Sequence, residues 1–149
     1  ADAGDVVGLS TTAGTLSAVS DNGDGTYTAV LTSASAVGSA TISFTIDDAD
    51  ADATATVAFV AGAADVGAST IVAAPTSITA DGSTTSTITV SLLDASGNVV
   101  ADAGDVVALS TTAGTLSGVT DNGDGTYSAV LTSATTVGSA TISFTIDGD

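Results

Sequence analysis

The stretch Thr84-Thr85-Ser86-Thr87-Ile88-Thr89-Val90-Ser91-Leu92-Leu93 decides the fold class. Successive side chains of an extended chain point to opposite faces, so Ile88, Val90 and Leu92 fall on one side and Thr87, Thr89 and Ser91 on the other. That is the pattern of a half-buried β-strand. Turn chemistry bounds it at both ends, Ala80-Asp81-Gly82-Ser83 before and Asp94-Ala95-Ser96-Gly97-Asn98 after.

The same grammar extends outward. Residues 69–73 open the domain, and 105–110 and 114–119 read as two further short strands. Asp121-Asn122-Gly123-Asp124-Gly125 is the strongest hairpin signal in the chain. It feeds a strand over 126–132, in which Tyr127, Ala129 and Leu131 share one face. A strand over 138–146 follows, with Ile142, Phe144 and Ile146 inward and Thr141, Ser143 and Thr145 outward. In an earlier copy of this segment the chain continues into 54–61, where Ala55, Val57 and Phe59 alternate with Thr54, Thr56 and Ala58.

That earlier copy is nearly perfect. Residues 1–47 repeat as 101–147, differing only at 8, 18, 20, 28, 35 and 36, where small residues replace one another. A period of about 100 residues is too long for a solenoid unit and fits one β-sandwich domain. The reading is therefore all-β, a β-sandwich in tandem copies. Residues 1–62 are the C-terminal part of one repeat, lacking its first two strands. Residues 63–149 are the next repeat, lacking its last. The chain is expected to be a window on a longer array of such copies, or a subunit completed by strands from its neighbours.

Composition narrows the function. The 149 residues include no Lys, Arg, His, Cys, Met, Trp or Glu, and seventeen Asp set the formal net charge at -17. A chain of average usage would carry roughly 37 charged residues. Without cations there is no electrostatic footprint for nucleic acid, nor for phosphate or an anionic membrane surface. Without His or Cys, ordinary zinc, haem and iron–sulfur sites are excluded. No apolar run is long enough for a membrane-spanning helix, so no membrane insertion of this segment is expected. A Ser or Thr nucleophile would have no His or Lys to serve as its base. Paired carboxylates of the glycosidase kind would lack the aromatic cleft around them, with two Tyr in the chain, both inside strand patterns. The protein is read as no enzyme.

Several motifs in a fixed order carry a family resemblance. ITADGSTTSTITVSLLDASGNVV (78–100), LSTTAGTLS (109–117), TDNGDGTYSAVLTS (120–133) and VGSATISFTI (137–146) resemble the bacterial immunoglobulin-like domain of the invasin/intimin type. The resemblance covers 69–149, and the copy 1–61 resembles the later part of the same domain. One departure is Val99, where such domains often carry Pro after Gly-Asn. The resemblance implies an immunoglobulin-like Greek-key sandwich serving as a spacer in large repetitive surface adhesins, stalks or surface layers. It implies no catalytic site.

Two groups of residues are candidates for chemistry. Asp21–Tyr27 and its copy Asp121–Tyr127 fail as EF-hand loops, because positions 3 and 5 are glycines and the chain has no Glu at all. Asn22, Gly23, Asp24 and Gly25, with Asn122, Gly123, Asp124 and Gly125, read instead as structural turns that use positive φ. The second group is Asp47, Asp48, Asp50 and Asp52, placed between two strands at one end of the sandwich. Alternation at 48, 50 and 52 would set those carboxylates on one side. Together with the acidic loop of Asp102 and Asp105 (Asp2 and Asp5 in the first copy) they are candidate Ca2+ ligands. The other reading of the same residues is a solvated acidic loop.

Like charges at this density repel, and marine-like salt would relieve that by shortening the Debye length to about a few Å. The expected setting is extracellular, at the cell surface. The expected role is an adhesive or structural spacer module, with a self-assembling filament, sheath or surface layer joined by strand complementation as the alternative. Partners are expected to be other copies of the repeat, in cis or in trans.

Overall fold

The computed structural model describes residues 4–101 and 104–148. Every regular element among them is a strand, and the chain divides into two compact units between Val60 and Ala61. The first unit holds β1 (Val7–Thr11), β2 (Thr15–Leu16), β3 (Ser20–Asp21), β4 (Tyr27–Thr28), β5 (Leu31–Thr32), β6 (Gly38–Ile46) and β7 (Ala49–Phe59). The second holds β8 (Thr70–Ala74), β9 (Thr85–Ser91), β10 (Val107–Thr111), β11 (Thr115–Leu116), β12 (Thr120–Asp121), β13 (Thr126–Thr132) and β14 (Ile142–Ile146).

In the second unit β9 is the central strand. The alternation of its sequence becomes alternation of burial, with Ser86, Ile88 and Val90 buried and Thr85 and Thr87 exposed. It pairs antiparallel with β13, so that Val90 faces Tyr127, Ile88 faces Ala129 and Ser86 faces Leu131. The sheet runs β11-β13-β9-β8, with β12 also on β13, and β10 and β14 form a second sheet. Val90 and Tyr127 from the first sheet, with Leu92 just past the end of β9, pack with Val107 and Ile146 from the second, and this cluster is the sandwich core. Ile88, Val90 and Leu92 are fully buried, each worth about 1.5–3 kcal/mol of transfer free energy. The buried hydroxyl of Ser86 is satisfied by donating to the Pro75 carbonyl at 2.6 Å.

The first unit has the sheet β1-β6-β7 and the pairs β2-β5 and β3-β4. Among its described residues there is no strand equivalent to β8 or β9, and the burial differs accordingly. Tyr127, Leu131, Val107 and Ile146 are buried, whereas Tyr27, Leu31 and Val7 are half-buried and Ile46 is exposed. Identical side chains thus differ in burial because one unit has the β9 sheet over them and the other does not. Burial here is a property of the partner strand rather than of the residue.

Three strand expectations differ from the structure. Residues 114–119 do not form one strand. The Ser117 amide still donates to the Val130 carbonyl at 2.9 Å, but the return bond goes to a side chain: the Ser117 hydroxyl accepts the Val130 amide at 2.9 Å and donates to the Gly118 carbonyl at 3.0 Å, and the regular strand ends at Leu116. The strand over 54–61 begins earlier, at Ala49, because β6 and β7 form a hairpin around Asp47-Asp48. The strand over 138–146 is complete only in the first copy. There GSATISFTI is the nine-residue β6, paired with β1 and β7, whereas the same nine residues yield only the five-residue β14, paired with β10 alone.

Candidate functional site: acidic corners and a one-sided sheet edge

The Asn-Gly-Asp-Gly loops are built by short-range hydrogen bonds. Asp21 Oδ1 accepts the Gly23 amide at 2.8 Å, and Asp24 Oδ1 accepts the Thr26 amide at 3.0 Å and the Thr26 hydroxyl at 2.6 Å. Asn22 donates through Nδ2 to Thr26 Oγ1 at 2.9 Å. Gly23 and Gly25 take φ of 76° and 86°, and Gly123 and Gly125 take 75° and 83°. The connection from Asp21 to Tyr27 holds five residues, longer than the two of an Asn-Gly hairpin. The Thr26 hydroxyl, then its amide, holds the Asp24 carboxyl below its usual range, and Thr126 does the same for Asp124. Asn122 donates likewise to Thr126 Oγ1, at 2.9 Å. Gly125 is closely packed as well as left-handed, since a Cβ there would lie 2.6 Å from the Val100 carbonyl oxygen.

The acidic stretch 47–52 is not a free loop between strands. Asp47 and Asp48 alone form the turn, with φ of 52° and 64°, the two positive values of a type I′ hairpin. Asp50 and Asp52 lie inside β7, Asp50 opposite Thr45, and Asp52 where β7 gains two residues over β6. The turn takes Asp48 out of the alternation that was expected to align it with 50 and 52. The carboxylate of Asp47 has a backbone partner, Val6, whose amide donates to its Oδ1 at 2.9 Å.

In the second unit Asp147 does the same for the Val106 amide at 2.9 Å, and Asp147 and Gly148 take φ of 53° and 95°. Asp105 is brought near Asp147, and its Oδ2 is buried without a hydrogen-bond partner. Burial first, and then the charge of Asp147, raises the Asp105 carboxyl above its usual range. Tyr127 closes this corner by donating its hydroxyl to the Asp105 carbonyl at 3.1 Å. Asp102 lies outside the described residues. Among those described, no three acidic side chains converge into a set that could hold a metal ion.

Two carboxylates that the sequence did not single out have denser shells. Asp94 is 6% exposed, and its oxygens accept Asn98 Nδ2 and the amides of Gly62, Ser96 and Asn98, all at 2.9 Å at closest. The Asn98 side chain leads in holding its carboxyl down, to about 2. Asp81 accepts the Thr84 and Ser83 amides at 2.8 Å, which hold it well below the usual carboxylate range. The only available signal was turn chemistry, Asp followed by Gly or Ser, on either side of the decisive strand.

The remaining feature is the outer edge of β14. In the first unit the equivalent edge of β6 is filled by β7, which brings Phe59 over Gly14 and Leu31. In the second unit a cleft of about 440 Å³ opens where Gly114, Leu131 and Gly138 stand. The model of the family described as "Invasin, domain 3" matches residues 1–62 and again 65–149.

The chain belongs to the invasin domain 3 family. Among solved structures it is similar to invasin, a bacterial integrin-binding protein, at 31% identity and a TM-score of 0.68, covering 97% of this chain and 30% of that one. It is similar to the adhesin FdeC of Escherichia coli at 31% identity, with a TM-score of 0.66, over 95% of this chain and 47% of the other. InvD of Yersinia pseudotuberculosis matches at 32% identity, with a TM-score of 0.64, over 97% and 43%. The chain thus spans less than half the length of each. These invasin-type relatives fix the fold as an immunoglobulin-like β-sandwich.

Proposed function

We propose that the chain is an adhesive or structural repeat module of an extracellular surface protein, acting as a spacer that extends the protein away from the cell. The observation that carries this reading is the double match of one chain to the invasin domain, two copies at a 100-residue offset with six differences between them. Duplication of a unit with no nucleophile–base pair adds length rather than chemistry. The outer faces are Ser- and Thr-rich and the charge is all negative, which keeps neighbouring copies soluble and apart. The test is to place concatemers of the chain between a cell-surface anchor and a reporter binder. Reach, read by access of the binder to bead-bound ligand, should grow with copy number, and chain-coated beads without the binder should not adhere. Saturable adhesion of the bare repeats to host cells or matrix would make the repeats themselves the adhesive element and reject the spacer role.

A second reading is a filament, sheath or surface-layer subunit joined by strand complementation, in which one copy's strand adds to another copy's sheet edge. Sedimentation of the chain against concentration separates the two. A spacer stays monomeric, and a subunit grows into oligomers.

A further inference from the structure

The chain has three side-chain amides, Asn22, Asn98 and Asn122, and no Gln. Asparagine is a thermolabile residue. The backbone nitrogen of the next residue attacks Cγ, the new N–Cγ bond closes a succinimide ring, and the Cγ–Nδ2 bond breaks. Nδ2 leaves as ammonia, with the proton that the backbone nitrogen gave up. Water then opens the ring at either carbonyl, giving aspartate or isoaspartate. The following residue controls the first step. Val99 follows Asn98 and sets a β-branched side chain beside the attacking nitrogen, whereas Gly23 and Gly123 follow the other two and have no Cβ to hinder it. A Cβ placed on either glycine would meet nothing within 4 Å, and residues 21–24 and 121–124 are exposed, so water reaches the ring.

Each requirement of the ring closure is opposed in the folded chain. The attacking nitrogen must lose its proton, yet the Gly123 amide donates to Asp121 Oδ1 at 2.8 Å, and a carboxylate there opposes the negative charge that the nitrogen would gain. Cγ must turn onto that nitrogen, yet both ends of the carboxamide are bound across the loop. Asn122 Nδ2 donates to Thr126 Oγ1 at 2.9 Å, and its Oδ1 accepts the Ser128 hydroxyl at 3.2 Å. The Asn122 backbone amide donates to the Thr126 carbonyl at 3.0 Å and so fixes the base of the side chain. The first copy repeats the three side-chain bonds with Asp21, Thr26 and Thr28, at 2.8, 2.9 and 3.4 Å. All of this hangs on a short pairing. β12 has two residues, Thr120 opposite Ser128 and Asp121 opposite Tyr127, and both are exposed. Short exposed pairs open locally at a lower free energy than the whole domain.

We propose that Asn122 and Asn22 are sites of spontaneous deamidation, held shut by a clasp of Asp121, Thr126 and Ser128 (Asp21, Thr26 and Thr28 in the first copy) and opened by fraying of β12 from β13 (β3 from β4). Asp121 and Asp21 are positioning residues in this clasp, acting through the glycine amide. Each event replaces the Nδ2 donor by a carboxylate between Asp121 and Asp124, or between Asp21 and Asp24, in a chain already at -17. Isoaspartate also lengthens the backbone by a methylene inside the turn. That turn leads directly to Tyr127 in the core, so the hairpin is where the repeat ages first.

The experiment follows the whole 149-residue chain at mildly alkaline pH beside a synthetic peptide of residues 118–130, too short to hold the sheet. Mass spectrometry reads the gain of hydroxyl over amide, and chromatography separates isoaspartate from aspartate. Residues 20 and 28 against 120 and 128 tell the two copies apart. Asn122 should convert at least about tenfold more slowly in the chain than in the peptide, equivalent to about 1.4 kcal/mol, and Asn98 should stay an amide throughout. Asp121→Ala should bring Asn122 toward the peptide rate while Asn22 in the same molecule keeps its own. Asp121→Ser, whose hydroxyl still accepts the Gly123 amide, should fall between. Hydrogen-exchange protection of β13 should be unchanged in both variants, and Asp121→Ala in the peptide should leave its rate nearly as it was. Equal rates in chain and peptide, conversion of Asn98 first, or an Asp121→Ala chain as slow as the parent overturns the proposal. Acceleration that comes only with loss of protection in β13 also overturns it, because the pairing of β13 with β9 would then be the guard, and not the clasp.

Discussion

Ile46 and Ile146 allow one substitution to be made twice in the same sequence. Ile146 is 6% exposed in the sandwich core, whereas Ile46 is 41% exposed. Each ends a strand, and each is paired with a valine, Val107 or Val7. Replacing a buried Ile by Ala removes transfer free energy and leaves a cavity, about 3 kcal/mol within a range of 2–5. At position 46 two-fifths of the residue is already in water and the gap opens to solvent, so only part of the transfer free energy is lost, about 1 kcal/mol. The expected difference between Ile146→Ala and Ile46→Ala is therefore about 2 kcal/mol. For units of 60–100 residues that is roughly 8–16 °C in the melting midpoint of the affected unit. Hydrogen exchange read by mass spectrometry distinguishes the units, because Gly8 and Ala108, or Ser20 and Thr120, give the repeat peptides different masses. Equal losses at both positions would falsify the argument that the β9 sheet, and not the residue, creates the core.

Asp105→Asn should stabilise the second unit at pH 7. A raised carboxyl contributes stability at low pH that is lost as pH rises through its folded pKa, so the gain should shrink toward pH 4, and pH-resolved melts of both proteins check this. Asp94 runs the other way. Its lowered carboxyl contributes stability above about pH 4 that is lost as pH falls through about 2, so Asp94→Asn should lower the neutral-pH midpoint and flatten the acid limb. Gly123→Ala should cost about 1–2 kcal/mol for a left-handed alanine, with nothing within 4 Å of the new carbon. Gly125→Ala should cost more in denaturant titration, since its Cβ also meets the Val100 carbonyl.

Much of the fold was legible because it is local. The period-two pattern of 84–93 needs no neighbour to be recognised, and Tyr127, Ala129 and Leu131 share the buried face that their spacing implies. What sequence could not show is anything that depends on a partner. GSATISFTI is nine residues of strand in one place and five in another, and no reading of those letters separates the cases. The acidic corner was equally hidden. Asp105 and Asp147 are 42 positions apart and meet only because the register of Val107 with Ile146 brings the two ends of one strand pair together. The acidic run 47–52 looked like a loop by charge, yet the tight turn uses two of its residues and the strand uses Asp50 and Asp52. Turn residues with αL tolerance and strand residues with short polar side chains can be the same amino acid.

The near-identity of the two copies also bears on how the protein reaches its native state. β9 finds β13 through Ile88 against Ala129 and Val90 against Tyr127, and an identical alanine and tyrosine wait at positions 29 and 27. Side-chain complementarity therefore cannot tell a strand's own copy from the neighbouring one. The choice falls to loop closure, because the nearer segment along the chain has the higher effective concentration and closes with less entropy loss. During synthesis the same rule favours whichever copy has already emerged. Exchange between repeats is then a kinetic trap built into the homogeneity of the sequence, and dilution would not relieve it, since both candidates are tethered to the same chain.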